Sequence, residues 1–171
     1  MVLLMGKPIA KVVLRFLFGG QGNWYRDGYT NLMIPVSRVS IEHVVPRSLL
    51  PKKMVWDLNN LLIVDKGLNN YRSNTKFGRS TLRGVTFCPA ENKGQIARIC
   101  AHMIDSCNGT SYSESASSVI DPFLMEEWSR EYPVTDHEKY INNYIYDIQG
   151  TYNEYVDGKE IYIMPDNFGK D

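Results

Sequence analysis

Apolar residues fall on helical spacing in several stretches of this chain and on strand spacing in one. Residues 95–107 give the clearest case. Ile96, Ile99, Cys100, Met103, Ile104 and Cys107 stand at i, i+3, i+4, i+7, i+8 and i+11, one continuous apolar face. Asp121-Pro122 reads as a cap followed by proline in the first turn, opening a helix that reaches about Tyr132. Thr135 and Glu138 have capping-box spacing, and the helix they open carries Ile141, Tyr144, Ile145 and Ile148 until Gly150 stops it. Near the N-terminus Ile9, Val12, Val13, Phe16 and Leu17 face away from Lys7, Lys11 and Arg15. This predicts an amphipathic helix ending at Gly19-Gly20.

Residues 38–43 alternate Val39 and Ile41 with polar partners, as a strand does. The run Leu61, Leu62, Ile63, Val64 predicts a short buried strand, and Asp65 can cap a following helix through about Ser73. Residues 21–36 read as loop with short strands. Tyr155-Val156, Asp157-Gly158 and Glu160 to Met164 suggest a C-terminal hairpin. The expected class is α+β, a mostly helical single domain over residues 1–171. Its parts are an amphipathic helix over 1–20, a strand–strand–helix unit over 36–78 and a helical part over 95–157.

Composition changes this picture in three places. A chain of 171 residues suits one domain, and no uncharged apolar run approaches the roughly 20 residues of a membrane span. The N-terminal helix can still lie on a membrane surface or pack on the domain; packing is the simpler reading. The formal net charge is zero, but residues 35–85 carry an excess of six positive charges and residues 114–171 an excess of nine negative ones. Such a basic block suits local phosphate binding, although solvated surface gives the same count. Cys88, Cys100 and Cys107 leave at least one thiol unpaired, and Lys7, Lys11 and Arg15 interrupt any signal-peptide core. Both favour a reducing intracellular compartment or a virion over a secreted form.

The chemistry is concentrated between Ser40 and Asn74. Cleaving a phosphodiester needs a deprotonated water and positive charge at the leaving oxygen. His43 has a side chain suited to the first task and sits where a strand gives way to a loop containing Pro46. A hard cation such as Mg2+, or Mn2+ or Ca2+ in its place, takes oxygen ligands and keeps several waters. Glu42 would supply a carboxylate and Asn69 an amide oxygen. Asn69 and Arg72 stand at i and i+3, so Arg72 would grip a phosphate beside the metal. Asn60 is better suited to tying the loop to the strand. Arg38, Arg47, Lys52, Lys53 and Lys76 are the candidate nucleic-acid contacts.

Taken in order, E-H-V-V-P at 42–46, D-L-N-N-L at 57–61 and N-N-Y-R-S-N at 69–74 resemble the endonuclease I family, within the His-Me finger (ββα-metal, HNH-like) nucleases. The likeness spans about Tyr25 to Asp157 and includes G-x-x-A-R at 94–98 and Q-G-T-Y-N at 149–153. It implies a ββα-metal core, His43 as general base, Glu42 and Asn69 as metal ligands and Asn60 as loop support. The expected activity is sequence-nonspecific, metal-dependent endonuclease action on DNA, with RNA as a second substrate. The alternative is a nuclease-derived subunit that binds nucleic acid, or supports a larger assembly, without cleaving.

Overall fold

Four consecutive apolar residues, Leu61 to Val64, are buried without exception, and the neighbouring elements are arranged to cover them. The computed structural model describes residues 6–163. Helix α1 (Lys7–Phe18) leads into an antiparallel pair, β1 (Trp24–Arg26) with β2 (Met33–Pro35). Strand β3 (Val39–His43) then pairs antiparallel with β4 (Leu61–Asp65), Glu42 opposite Leu62 and His43 opposite Leu61. Helix α2 (Lys66–Arg72) follows directly and packs on both strands. Strands β5 (Lys76–Phe77) and β6 (Thr86–Phe87) make a short parallel pair. The chain continues through α3 (Lys93–Ser106), α4 (Ser113–Ser117), α5 (Pro122–Glu131) and α6 (Asp136–Gln149). The class is α+β and mostly helical, as expected.

The helix starts follow their sequence signals. Asp65 accepts hydrogen bonds from the Gly67 and Leu68 amides, and Asp121 from those of Phe123 and Leu124. Thr135 and Glu138 form the full capping box, and Gly150 ends α6 in the left-handed conformation at φ 77°. Each device satisfies backbone groups that a helix end leaves without an internal partner.

Two expectations fail. In α1 the buried residues are Ala10, Val13, Leu14, Leu17 and Phe18, so the inward face is rotated from the one read off the sequence. These positions follow i, i+3, i+4, i+7, i+8, whereas Ile9, Val12 and Phe16 are exposed. The stripe read off the sequence has the same spacing displaced by one residue, and it omits Ala10, Leu14 and Phe18. At the C-terminus residues 154–158 form turns, and no strand occurs among the described residues after α6. There Asn153 Oδ1 accepts from the Tyr155 amide, and the Tyr155 hydroxyl and Lys159 ammonium both bond Asp105 on α3. Side-chain anchoring replaces strand pairing. Met164 lies outside the described residues.

One glycine fixes how α3 meets the end of α5. A Cβ on Gly94 would lie 2.1 Å from the Tyr132 carbonyl oxygen and 2.8 Å from the Arg98 guanidinium. Gly94→Ala is therefore expected to cost at least about 2 kcal/mol, within the range for forced overpacking. Urea denaturation checks this; an unchanged midpoint would contradict the packing described.

Candidate active site

Strand alternation sends Glu42 and His43 into different surroundings. Glu42 is 2% exposed, while His43 is half-buried with its ring edge-on to Trp56, centroids 5.2 Å apart. A carboxylate so enclosed requires partners. Glu42 Oε1 accepts from the Tyr29 hydroxyl at 2.8 Å and from Arg72 Nη1. Glu42 Oε2 accepts no hydrogen bond among the described residues, and Glu42 lines the cleft described below.

Arg72 is not where the i, i+3 spacing suggested. Its side chain is fully buried beneath β3. Besides Glu42, it donates to the carbonyls of His43 (3.1 Å), Val44 (2.8 Å) and Thr75 (3.1 Å), and its guanidinium lies 4.4 Å from the Phe77 ring centroid. The expectation that it grips a phosphate is corrected: it fastens the strand exit and the carboxylate from below. The reason is that the shared face of Asn69 and Arg72 is turned to β3, and one turn after Asn69 it meets the buried Glu42 carboxylate and the carbonyls of the strand exit, where the guanidinium is spent.

Asn69 lies at the surface end of the same unit. Its Nδ2 donates to Ser40 Oγ at 2.9 Å and to the Ile41 carbonyl at 3.1 Å. A carbonyl can only accept, so the amide nitrogen faces the strand and Oδ1 is left with no hydrogen bond among the described residues. Asn60 is fully buried and bonds both backbone groups of Val45, Oδ1 to the amide at 2.8 Å and Nδ2 to the carbonyl at 2.9 Å. It clamps the loop leaving β3.

Glu42, His43 and Asn69 line one cleft of about 1080 Å³. Of the cations named from sequence, only Arg47 lines it. Arg38 is paired with Asp65 at 2.7 Å, and Lys52, Lys53 and Lys76 are exposed outside it. Lys7, Lys11 and Arg15 of α1 do line the cleft, and sequence reasoning missed them as site residues. Their four-residue spacing with no acid between was the available signal.

Burial dominates the electrostatics. It pushes the Glu42 carboxyl above its usual range, against the pull of Arg72 and the hydrogen bonds from Tyr29 and Arg72. Burial, with the nearby Arg47 charge, lowers His43 to about 4, while the Val55 backbone acts weakly in the other direction. His43 Nε2 is buried without a hydrogen-bond partner among the described residues. The ring is thus neutral at ordinary pH and able to accept a proton.

Residues 79–160 match the endonuclease I family. Endonuclease-1 of Buchnera aphidicola subsp. Baizongia pistaciae (strain Bp) is 33% identical, over 63% of this chain and 49% of its own length. Both comparisons make the chain similar to endonuclease I. The chain spans about half the length of that curated relative.

Residues 79–160, the part that the family model matches, contain none of Glu42, His43, Asn69 or Arg72; they are the scaffold behind them. Within it Arg98 and Glu138 form a buried two-point ion pair (2.9 and 2.8 Å), and Arg98 also bonds the Tyr132 carbonyl at 2.9 Å. Gln149 reaches from the end of α6 to Asp57 Oδ1 (2.8 Å) and the Leu58 amide (2.9 Å). Residues 79–160 thereby hold the turn that carries Asn60.

The cleft donors suit a hard cation. Glu42 Oε2 and Asn69 Oδ1 are unpartnered oxygens, and no group of three or more His, Cys, Asp or Glu able to hold a metal occurs among the described residues. Two oxygens with water elsewhere is a magnesium-type arrangement; a zinc cage of three or four nitrogen and sulfur ligands is not available there.

Replacing Arg72 with Met leaves Glu42 charged and unpaired, so a loss of about 3–5 kcal/mol is expected from denaturant midpoints. Full stability in that variant would show that Arg72 is not a buried support. For His43 the folded pKa lies below the unfolded value of about 6.5. Between the two the unfolded chain binds more protons, so this contribution to stability is complete above pH 6.5 and lost as pH falls toward 4. NMR titration of the metal-free protein should find the imidazole neutral at pH 5.5. A midpoint near 6.5 would contradict the buried environment.

Proposed function

We propose that this chain is a metal-dependent endonuclease that hydrolyses phosphodiester bonds of DNA, and also of RNA, without sequence specificity. The observation carrying this reading is the gathering in one cleft of a neutral imidazole and two unpartnered oxygens, on Glu42 and Asn69. Similarity to endonuclease I supports a nuclease acting on nucleic acid. No base-reading element suggests itself, so backbone contacts would position the substrate.

Glu42 and Asn69 would hold a divalent cation of the Mg2+ type, or Mn2+ or Ca2+. Bound there, the ion supplies positive charge for the negative charge that develops on the phosphate and the leaving oxygen. The remaining work falls to the chain itself. His43 takes a proton from a water as its oxygen forms a bond to phosphorus. The phosphorus–O3′ bond then breaks, and the leaving oxygen acquires a proton from water. Arg72 and Tyr29 favour the ionised form of Glu42 against its burial and fix the carboxylate, Asn60 fixes the loop after His43, and Arg47 contacts the phosphate backbone. The imidazole's neutrality keeps it competent from about pH 5 upward.

His43→Ala is expected to lower plasmid nicking by about 10²–10⁴-fold, the usual worth of a general base, with the fold intact by circular dichroism. A chelator should stop cleavage by the unaltered chain. Binding of DNA without any nicking in magnesium would favour the non-cleaving subunit. Full activity in His43→Ala would reject His43 as the base.

A further inference from the structure

The cleft has two unlike walls. One carries Glu42, His43 and Asn69; the other is α1, an element outside residues 79–160. Lys7, Lys11 and Arg15 project from α1 at i, i+4 and i+8, hence along a single face. All three are exposed, and none forms an ion pair among the described residues. With Arg47 they give the cleft lining a strong positive excess, because Glu42 is its sole acid among the described residues.

We propose that Lys7, Lys11 and Arg15 form a phosphate-binding rail that holds the nucleic-acid backbone away from the scissile bond. The identity of the polyanion rests on the nuclease reading; the rail itself rests on geometry. Eight residues of α-helix span about 12 Å, the axial length of three to four phosphates on one strand of a duplex. The rotation of α1 is fixed by the packing of Ala10, Val13, Leu14, Leu17 and Phe18, so the cations are aimed by the core. Arg47 reaches the same cleft from the loop after β3, and a strand between the two would meet positive charge on both sides.

A membrane surface explains the arrangement less well. An interfacial helix must present its apolar face to lipid; here the main apolar stripe of α1 is taken up by the core and, of the exposed Ile9, Val12 and Phe16, Phe16 stacks on Tyr144 of α6. Its cations point into a cleft shared with the candidate catalytic groups.

The test is binding of a fluorescein-labelled 20-base-pair duplex in EDTA, followed by anisotropy against salt. The triple variant Lys7→Gln, Lys11→Gln, Arg15→Gln should show a log–log salt slope shallower by about 2.7, at ~0.9 per phosphate contact. Between 50 and 200 mM salt the unaltered chain should then lose about 40-fold more affinity than the variant. Val12→Gln, an exposed position on α1 outside the cleft, should bind as the unaltered chain does. Unchanged thermal unfolding of the triple variant would show that the exposed substitutions leave the fold alone. A triple variant with the original slope overturns the rail. So does loss of binding to phosphatidylserine vesicles with duplex binding unaltered. Hydrolysis of bis(4-nitrophenyl) phosphate by the unaltered chain tests the nuclease reading separately: salt-dependent duplex binding through α1 without that hydrolysis leaves the rail standing and removes the catalytic assignment.

Discussion

A carboxylate that is almost wholly enclosed needs a fixed opposite charge, and the pairing of Glu42 with Arg72 meets that need. Tyr29 completes it from the side, so both named bonds fall on Oε1 and leave Oε2 without a hydrogen bond among the described residues. The same Arg72 bonds the carbonyls of His43 and Val44, which ties the carboxylate, the strand exit and the imidazole to one rigid group. Removing one member of such a set leaves the other charge stranded, which is why it behaves as one unit.

The buried guanidinium also joins the site to the core. It stacks on Phe77, which packs in turn edge-on to Trp128 of α5, their centroids 6.4 Å apart. From the opposite side Gln149 holds the Asp57–Asn60 turn, and Thr151 Oγ1 accepts from Gln149 and Asn59. The helices matched to endonuclease I therefore serve the site without entering it. Precision at a polar site depends on such support, because each ligand atom must be held by groups that are themselves fixed.

Much of this was legible in the residues, for identifiable reasons. The helices α3, α5 and α6 announce themselves through apolar periodicity and through Asp121, Thr135, Glu138 and Gly150, because caps are local signals. Strand β4 was readable as an unbroken apolar run. Features that depend on contacts between distant segments were not readable. The Asn69–Arg72 spacing fixes a shared face on a helix, yet nothing local says that the last residue of a seven-residue helix folds beneath a strand. The face of α1 was misjudged because Ala10, small but fully buried, contributes more to the inward stripe than the exposed Val12 and Phe16. The Asp157-Gly158 turn was correctly placed, but the strands around it lost to side-chain anchors on α3. The cations that line the cleft with His43 come from a helix some thirty residues earlier, a distance only the fold can close.

The arrangement makes one direct demand: Glu42 Oε2 and Asn69 Oδ1 must be close enough to share a hydrated divalent cation. A manganese-soaked crystal, read by anomalous scattering, measures this without reference to activity. One strong peak in contact with both oxygens, and beside the His43 ring, is the expected result. A peak elsewhere on the protein instead, or none in contact with Glu42 at saturating manganese, would contradict the metal-dependent mechanism.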